Sequence, residues 1–216
     1  MSNGANENQI VFDLSSDASE IAQQVIDSPN DFKALVELLG DENRRVRQFA
    51  AASIREVSIQ NPELLVSYQE QLIDGLYRPE AQTRWELLEA ISRISNINDD
   101  YVGKAFEAAE DALYDEDSGT LRLAAFHYFI HLGSFSKEWS KKVWPLIDES
   151  LQVYHGDTEF PEMLGAVYKF AKSDLDTSVS KGLIERLNFD ATQGKGYIQK
   201  ESQAIINELT DIAKEH

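Results

Sequence analysis

The stretch "DENRRVRQFAAASIREVS", residues 41–58, decides how the whole chain is read. Two acids and three arginines crowd its first seven residues, and a run of small and aliphatic residues follows, with Ala50, Ile54 and Val57 three or four positions apart. That spacing puts the apolar side chains on one face of a helix, and the polar cluster ahead of it marks where the helix begins.

Sliding this stretch along the chain uncovers a repeat. Arg47 aligns with Arg84, Arg122, Pro161 and Gln199, at intervals of 37, 38, 39 and 38 residues. Three residues beyond each anchor stand Ala50, Leu87, Ala125, Leu164 and Ser202; seven beyond stand Ile54, Ile91, Phe129, Tyr168 and Ile206; ten beyond stand Val57, Ile94, Leu132, Ala171 and Leu209. A second amphipathic segment precedes each helix, as in "FKALVELLG" (32–40) and "YQEQLIDGLY" (68–77). One such hairpin cannot bury its apolar face alone, whereas hairpins in a row share a continuous core. The expectation is an all-α fold, a right-handed α-α superhelix (α-solenoid) of about five hairpins over residues 17–216.

The motif "DENRRVRQFAAASIREV" resembles the HEAT-repeat family, in which an Asp, a short turn and Val-Arg precede spaced small and aliphatic residues. The resemblance spans about residues 29–214. It implies that Asp41 and Arg47 are the turn acid and ladder arginine of one repeat, with Glu116 and Arg122 at the same offset in another and Arg84 as a further ladder arginine. An arginine at a helix start faces the positive end of the dipole, so its fork needs a carboxylate or turn carbonyls nearby. The pattern breaks where Arg78 replaces a turn acid and where Pro161 and Gln199 replace the arginine. Such proteins are mostly non-catalytic scaffolds and adaptors. The alternative that the likeness allows is an enzyme or enzyme accessory resembling the HEAT-like DNA glycosylases or chromophore lyases.

Charge narrows the partners. The 216 residues carry 38 Asp plus Glu against 20 Lys plus Arg, a formal charge of −18, which disfavours nucleic acid and anionic membrane surfaces and favours basic or neutral proteins or peptides. Residues 61–120 hold 14 acids and 4 bases, whereas residues 41–60 hold 3 acids and 4 bases. With no cysteine, disulfides and thiolate chemistry are excluded. No basic residue precedes Lys33 and the charge-free run at 123–136 is 14 residues long, too short to span a bilayer; a cytoplasmic protein is expected. Residues 1–16 read as a disordered segment, although Ile10, Val11, Phe12 and Leu14 form an apolar knot able to dock. Helix-start patterns occur at Asp17 with Glu20, at Ser28-Pro29 and at Asn61-Pro62.

No motif names a catalyst, a metal site or a cofactor. His127 and His131 in "HYFIH" have a metal-compatible spacing, but Tyr128 stands where a zincin has glutamate and no third ligand is evident. "DEDSG" (115–119) has the wrong register for a calcium loop and reads as a helix cap, as does Asp99-Asp100. "QGKG" (193–196) lacks the Ser or Thr of a phosphate loop and reads as an interhelical turn. The cluster Lys137, Trp139, Lys141, Lys142 and Trp144 reads as a packed helix face with snorkelling lysines.

In a curved stack the second helices line the concave surface, and the residues one, five and eight or nine beyond each anchor form its stripe. These are Gln48, Ala52, Arg55 and Glu56; Trp85, Glu89, Ser92 and Arg93; Leu123, His127, Ile130 and His131; and Glu162, Ala166, Lys169 and Phe170. Trp85, Glu89, Arg93, His127 and His131 are the candidate partner-binding residues, with Trp85 as an aromatic anchor beside carboxylates.

Overall fold

A computed structural model describes residues 11–95 and 103–215, which form helices and turns with no strand among them. Contacts group the chain into two compact units, Met1–Tyr101 and Val102–His216. The fold is an all-α solenoid. In the first unit, α1 (Ala18–Asp27) leads into two hairpins, α2 (Phe32–Glu37) with α3 (Arg44–Gln60) and α4 (Gln69–Gly75) with α5 (Ala81–Ile94). The second unit holds three more: α6 (Phe106–Leu113) with α7 (Gly119–Gly133), α8 (Lys137–Val153) with α9 (Phe160–Ala171), and α10 (Thr177–Gln193) with α11 (Gly196–Glu215). Every repeat anchor lies in the first turn of a second helix.

The core follows the repeat register. Ala50, Leu87, Ala125, Leu164 and Ser202 are buried, and so are Val57, Ile94, Leu132, Ala171 and Leu209. At the seventh position Ile54, Ile91 and Phe129 are buried, but Tyr168 and Ile206 are half-buried, and Val167 and Ile205 take the core place. Both spacings, three then four or four then three, lie on one apolar stripe, so a helix can turn slightly without losing its core.

Local chemistry sets the ends. Asp17 caps α1 by accepting from the Ser19 amide at 2.9 Å. Ser28 and Asn61 precede prolines but cap nothing with their side chains; the prolines open 3-10 turns, Pro29–Asp31 and Pro62–Tyr68, instead of α-helices. This shortens α2 and α4 to 6 and 7 residues, against 17 in α8 and α10. Pro161 falls within the first turn of α9, where its missing N–H has no intrahelical partner to lose, which explains how proline replaces the anchor arginine there. "QGKG" joins α10 to α11, with Gly196 at φ +61°.

Phe12 is buried while Val11 and Leu14 are exposed; Ile10 and the polar residues 1–9 lie outside the described residues, as do Asp99 and Asp100. The basic-aromatic cluster on α8 is engaged in packing. The Lys142 ammonium lies 4.4 Å from the Trp139 ring centroid and 4.9 Å from that of Phe106, Trp139 and Trp144 pack against Gly103 and Gly182, and Lys137 meets Asp174 at 3.1 Å. Among the described residues no helix is long and apolar enough to cross a membrane.

Candidate functional site: the second-helix faces

The start of α3 explains the arginines of the opening motif. Arg47 is buried; its Nη1 donates to the carbonyls of Asp41 at 2.7 Å and Glu42 at 2.9 Å. Its Nε donates to Glu80 Oε2 at 3.1 Å, and Nη2 reaches Glu80 Oε1. The Asp41 carboxylate accepts the Asn43 amide at 2.7 Å, so the acid of this turn holds the turn and the arginine's carboxylate comes from the next hairpin. Hydrogen bonding to Arg47 holds the Glu80 carboxyl below the ordinary glutamate range and raises the guanidinium in turn. Glu80 is the residue just ahead of α5, two after Arg78, and it supplies the acid that position 78 lacks.

Arg122 repeats half of this arrangement. Its Nη1 donates to the Asp115 carbonyl at 2.9 Å, its guanidinium sits 5.1 Å from the Tyr154 ring centroid, and Asp157 lies at 3.8 Å. The turn carboxylate is Asp115, which accepts from the Ser118 amide at 2.8 Å and the Asp117 amide at 3.1 Å, and not Glu116, which is exposed. The reason is one extra residue: three positions separate Asp115 from the cap Ser118, whereas two separate Asp41 from the cap Asn43. Arg84 is half-buried in the first turn of α5, its amide on the Glu80 carbonyl at 3.2 Å.

On the second-helix face of the first unit, Arg55 of α3 gathers the acids of α5. Its Nε donates to Glu89 at 2.6 Å and lies 3.3 Å from Glu86, while its Nη1 meets Glu56 at 2.7 Å. Arg93 approaches the same Glu89 carboxylate at 3.8 Å and donates to the Glu89 carbonyl at 2.8 Å. Glu89, expected as an open acid for a basic partner, is therefore already paired: residues 34 apart face each other when hairpins stack. Burial pushes the Glu86 carboxyl above the ordinary range, with Arg55 and a hydrogen bond involving Trp85 acting against it. Trp85 is half-buried beside this network.

In the second unit, stripe residues from α7 and α9 converge. His127, Ile130 and His131 of α7 and Glu162, Ala166 and Lys169 of α9 line one pocket of about 490 Å3, closed by Tyr197 of α11. Ile130 and Ala166 form apolar lining, each 7% exposed. Phe170, expected on the stripe, is fully buried instead, because the core stripe of α9 extends one residue further round the helix. No group of three or more His, Asp or Glu side chains suited to a metal occurs among the described residues.

Sequence reasoning missed Glu80, Gly165, Tyr197 and a histidine–carboxylate pair in which His155 Nε2 lies 3.1 Å from both Asp190 oxygens. A signal was present. Pairs that bridge hairpins recur at the repeat length or a few residues short of it, with separations of 33 for Arg47–Glu80, 34 for Arg55–Glu89, 35 for His155–Asp190 and 38 for Arg186–Asp148.

No family model matches the chain, and no curated protein matches it. Solved structures do. An engineered protein is 22% identical with a TM-score of 0.68, covering 92% of this chain and 88% of its own. A designed armadillo repeat protein is 18% identical with a TM-score of 0.68, covering 89% of this chain and 90% of its own. Another, solved in complex with the peptide (KR)4, is 20% identical with a TM-score of 0.67 and the same coverage. The hairpin repeat read from the sequence is thus the armadillo-like α-solenoid repeat fold.

Proposed function

We propose that this chain is a non-catalytic, cytoplasmic interaction module that binds a peptide segment along the second-helix faces of its hairpins. The observation that carries the reading is the pocket of the second unit, where six residues of the anticipated stripe line one cavity. Stacked hairpins that share a core leave one row of side chains open to a partner, and a row of pockets at repeat spacing suits an extended segment. The designed armadillo protein bound to (KR)4, and another described as built for modular peptide recognition, support the same use of this fold.

In the first unit Trp85 is the aromatic anchor, flanked by Glu86 and Glu89. Glu56, Glu86 and Glu89 around it are held by Arg55 and Arg93, so the face suits a neutral or basic segment through the ring of Trp85 rather than through an open acid. Asp41, Arg47, Arg84 and Arg122 serve as the structural ladder behind these faces. Panning a phage-displayed random peptide library on the immobilised protein tests the reading. A consensus is expected whose synthetic peptide binds in solution and loses affinity with the Trp85→Ala or the His131→Ala variant. Failure to enrich any sequence above the blank support would overturn it.

A further inference from the structure

One of the residues lining the pocket of the second unit has no side chain, Gly165 of α9. Four residues beyond the five anchors stand Ala51, Leu88, Phe126, Gly165 and Gln203; the first three are fully buried, whereas Gly165 is half-buried and Gln203 exposed, because α9 and α11 are turned by one residue. Gly165 lies within α9 without a positive φ, so no backbone demand explains the glycine. A Cβ built there would meet only the Tyr197 hydroxyl, at 3.5 Å, an ordinary contact. Glycine lowers helix propensity relative to alanine, and here it relieves no clash. What the glycine leaves is space.

The rings around that space are imidazoles and a phenol, His127, His131 and Tyr197, over an apolar lining of Ile130 and Ala166. Aromatic rings beside an apolar lining are surroundings in which an inserted aromatic ring packs favourably. At the rim, Glu162 and Lys169 of α9 are both exposed, seven residues apart, and Lys169 makes no ion pair among the described residues. Its ammonium is thus available to a carboxylate.

We infer that the Gly165 pocket receives one aromatic side chain of the bound peptide, with an acidic residue beside it directed to Lys169. This rests on the peptide-binding reading and makes the second-unit face specific: the aromatic side chain enters the pocket and its acidic neighbour lies towards Lys169 and away from Glu162. Apolar burial supplies the affinity and Lys169 the choice of neighbour.

The test uses the full chain and the same phage-displayed library, panned in parallel on the wild type and on Gly165→Leu, with circular dichroism melts of both. Leucine fills the pocket and improves helix propensity, so the variant should fold; Gly165→Ala, which fills far less, is the second control. The wild type is expected to enrich peptides with an aromatic residue next to Asp or Glu. A synthetic peptide of that sequence should bind Gly165→Leu at least about tenfold more weakly and Gly165→Ala within about threefold of wild type, with Lys169→Glu shifting preference towards a basic neighbour. Enrichment on the wild type of peptides without an aromatic residue, or equal binding to a folded Gly165→Leu, overturns the pocket while leaving peptide binding intact. Enrichment of nothing removes both.

Discussion

Arg47 and Glu80 lie 33 residues apart and form a buried pair in which the guanidinium Nε donates to the carboxylate at 3.1 Å while Nη1 holds the carbonyls of Asp41 and Glu42. One side chain thus ties the turn before α3 to the turn before α5. Breaking such a pair from one side strands a buried charge, which is costlier than losing the attraction itself. Glu80→Ala is expected to destabilise the protein by about 3 kcal/mol or more, and Glu80→Gln by less, since the amide oxygen still accepts one bond. Thermal melts of the two variants check the order; equal losses would mean that the neutral acceptor recovers nothing and that the whole contribution lies in the carboxylate's charge.

The same pair has a pH signature. The Glu80 pKa is depressed on folding, so its contribution is fully present above the unfolded glutamate value of about 4.3 and is lost as pH falls through the lower folded value. Glu80→Gln should therefore lose less stability than the wild type between neutral pH and the acid limb, measured as the change in melting temperature.

Glu86 should act in the opposite sense. Burial raises its pKa, so the ionised form is disfavoured in the folded protein at neutral pH and the strain is relieved as pH falls through the raised value. Glu86→Gln is expected to raise the melting temperature at pH 7 and to lose that advantage in acid. A lower melting temperature at pH 7 would show that the Arg55 contact at 3.3 Å outweighs desolvation.

Helical register is tested by two alanines two residues apart. Ala50 is fully buried, and Ala50→Glu should cost more than about 4 kcal/mol by placing an unpaired charge in the core. Ala52 is half-buried on the second-helix face, and Ala52→Glu should cost less than about 1 kcal/mol. Circular dichroism melts separate them.

Gly182 of α10 faces the rigid indole of Trp144 on α8, where a Cβ would fall 2.7 Å from the ring. Gly182→Leu should destabilise by about 1–3 kcal/mol through overpacking, with a shift in tryptophan emission as the indole moves. Unchanged emission and stability would show that α8 and α10 separate without cost.

Sequence alone determined the repeat. The positions three and ten beyond Arg47, Arg84, Arg122, Pro161 and Gln199 are buried in every hairpin, because helical periodicity is a local property that a single segment displays by itself. It also determined the cap at Asp17 and the interhelical turn at Gly194–Gly196, which depend on neighbours within a few residues. Partners across hairpins were decided by the tertiary structure. That Arg47 takes Glu80 rather than the Asp41 carboxylate and that Glu89 is already held by Arg55 both depend on how far one hairpin is displaced against the next. The Gly165 pocket belongs to the same class: a missing side chain is visible in the sequence, but the space it leaves takes form only when Tyr197 of the following hairpin closes over it.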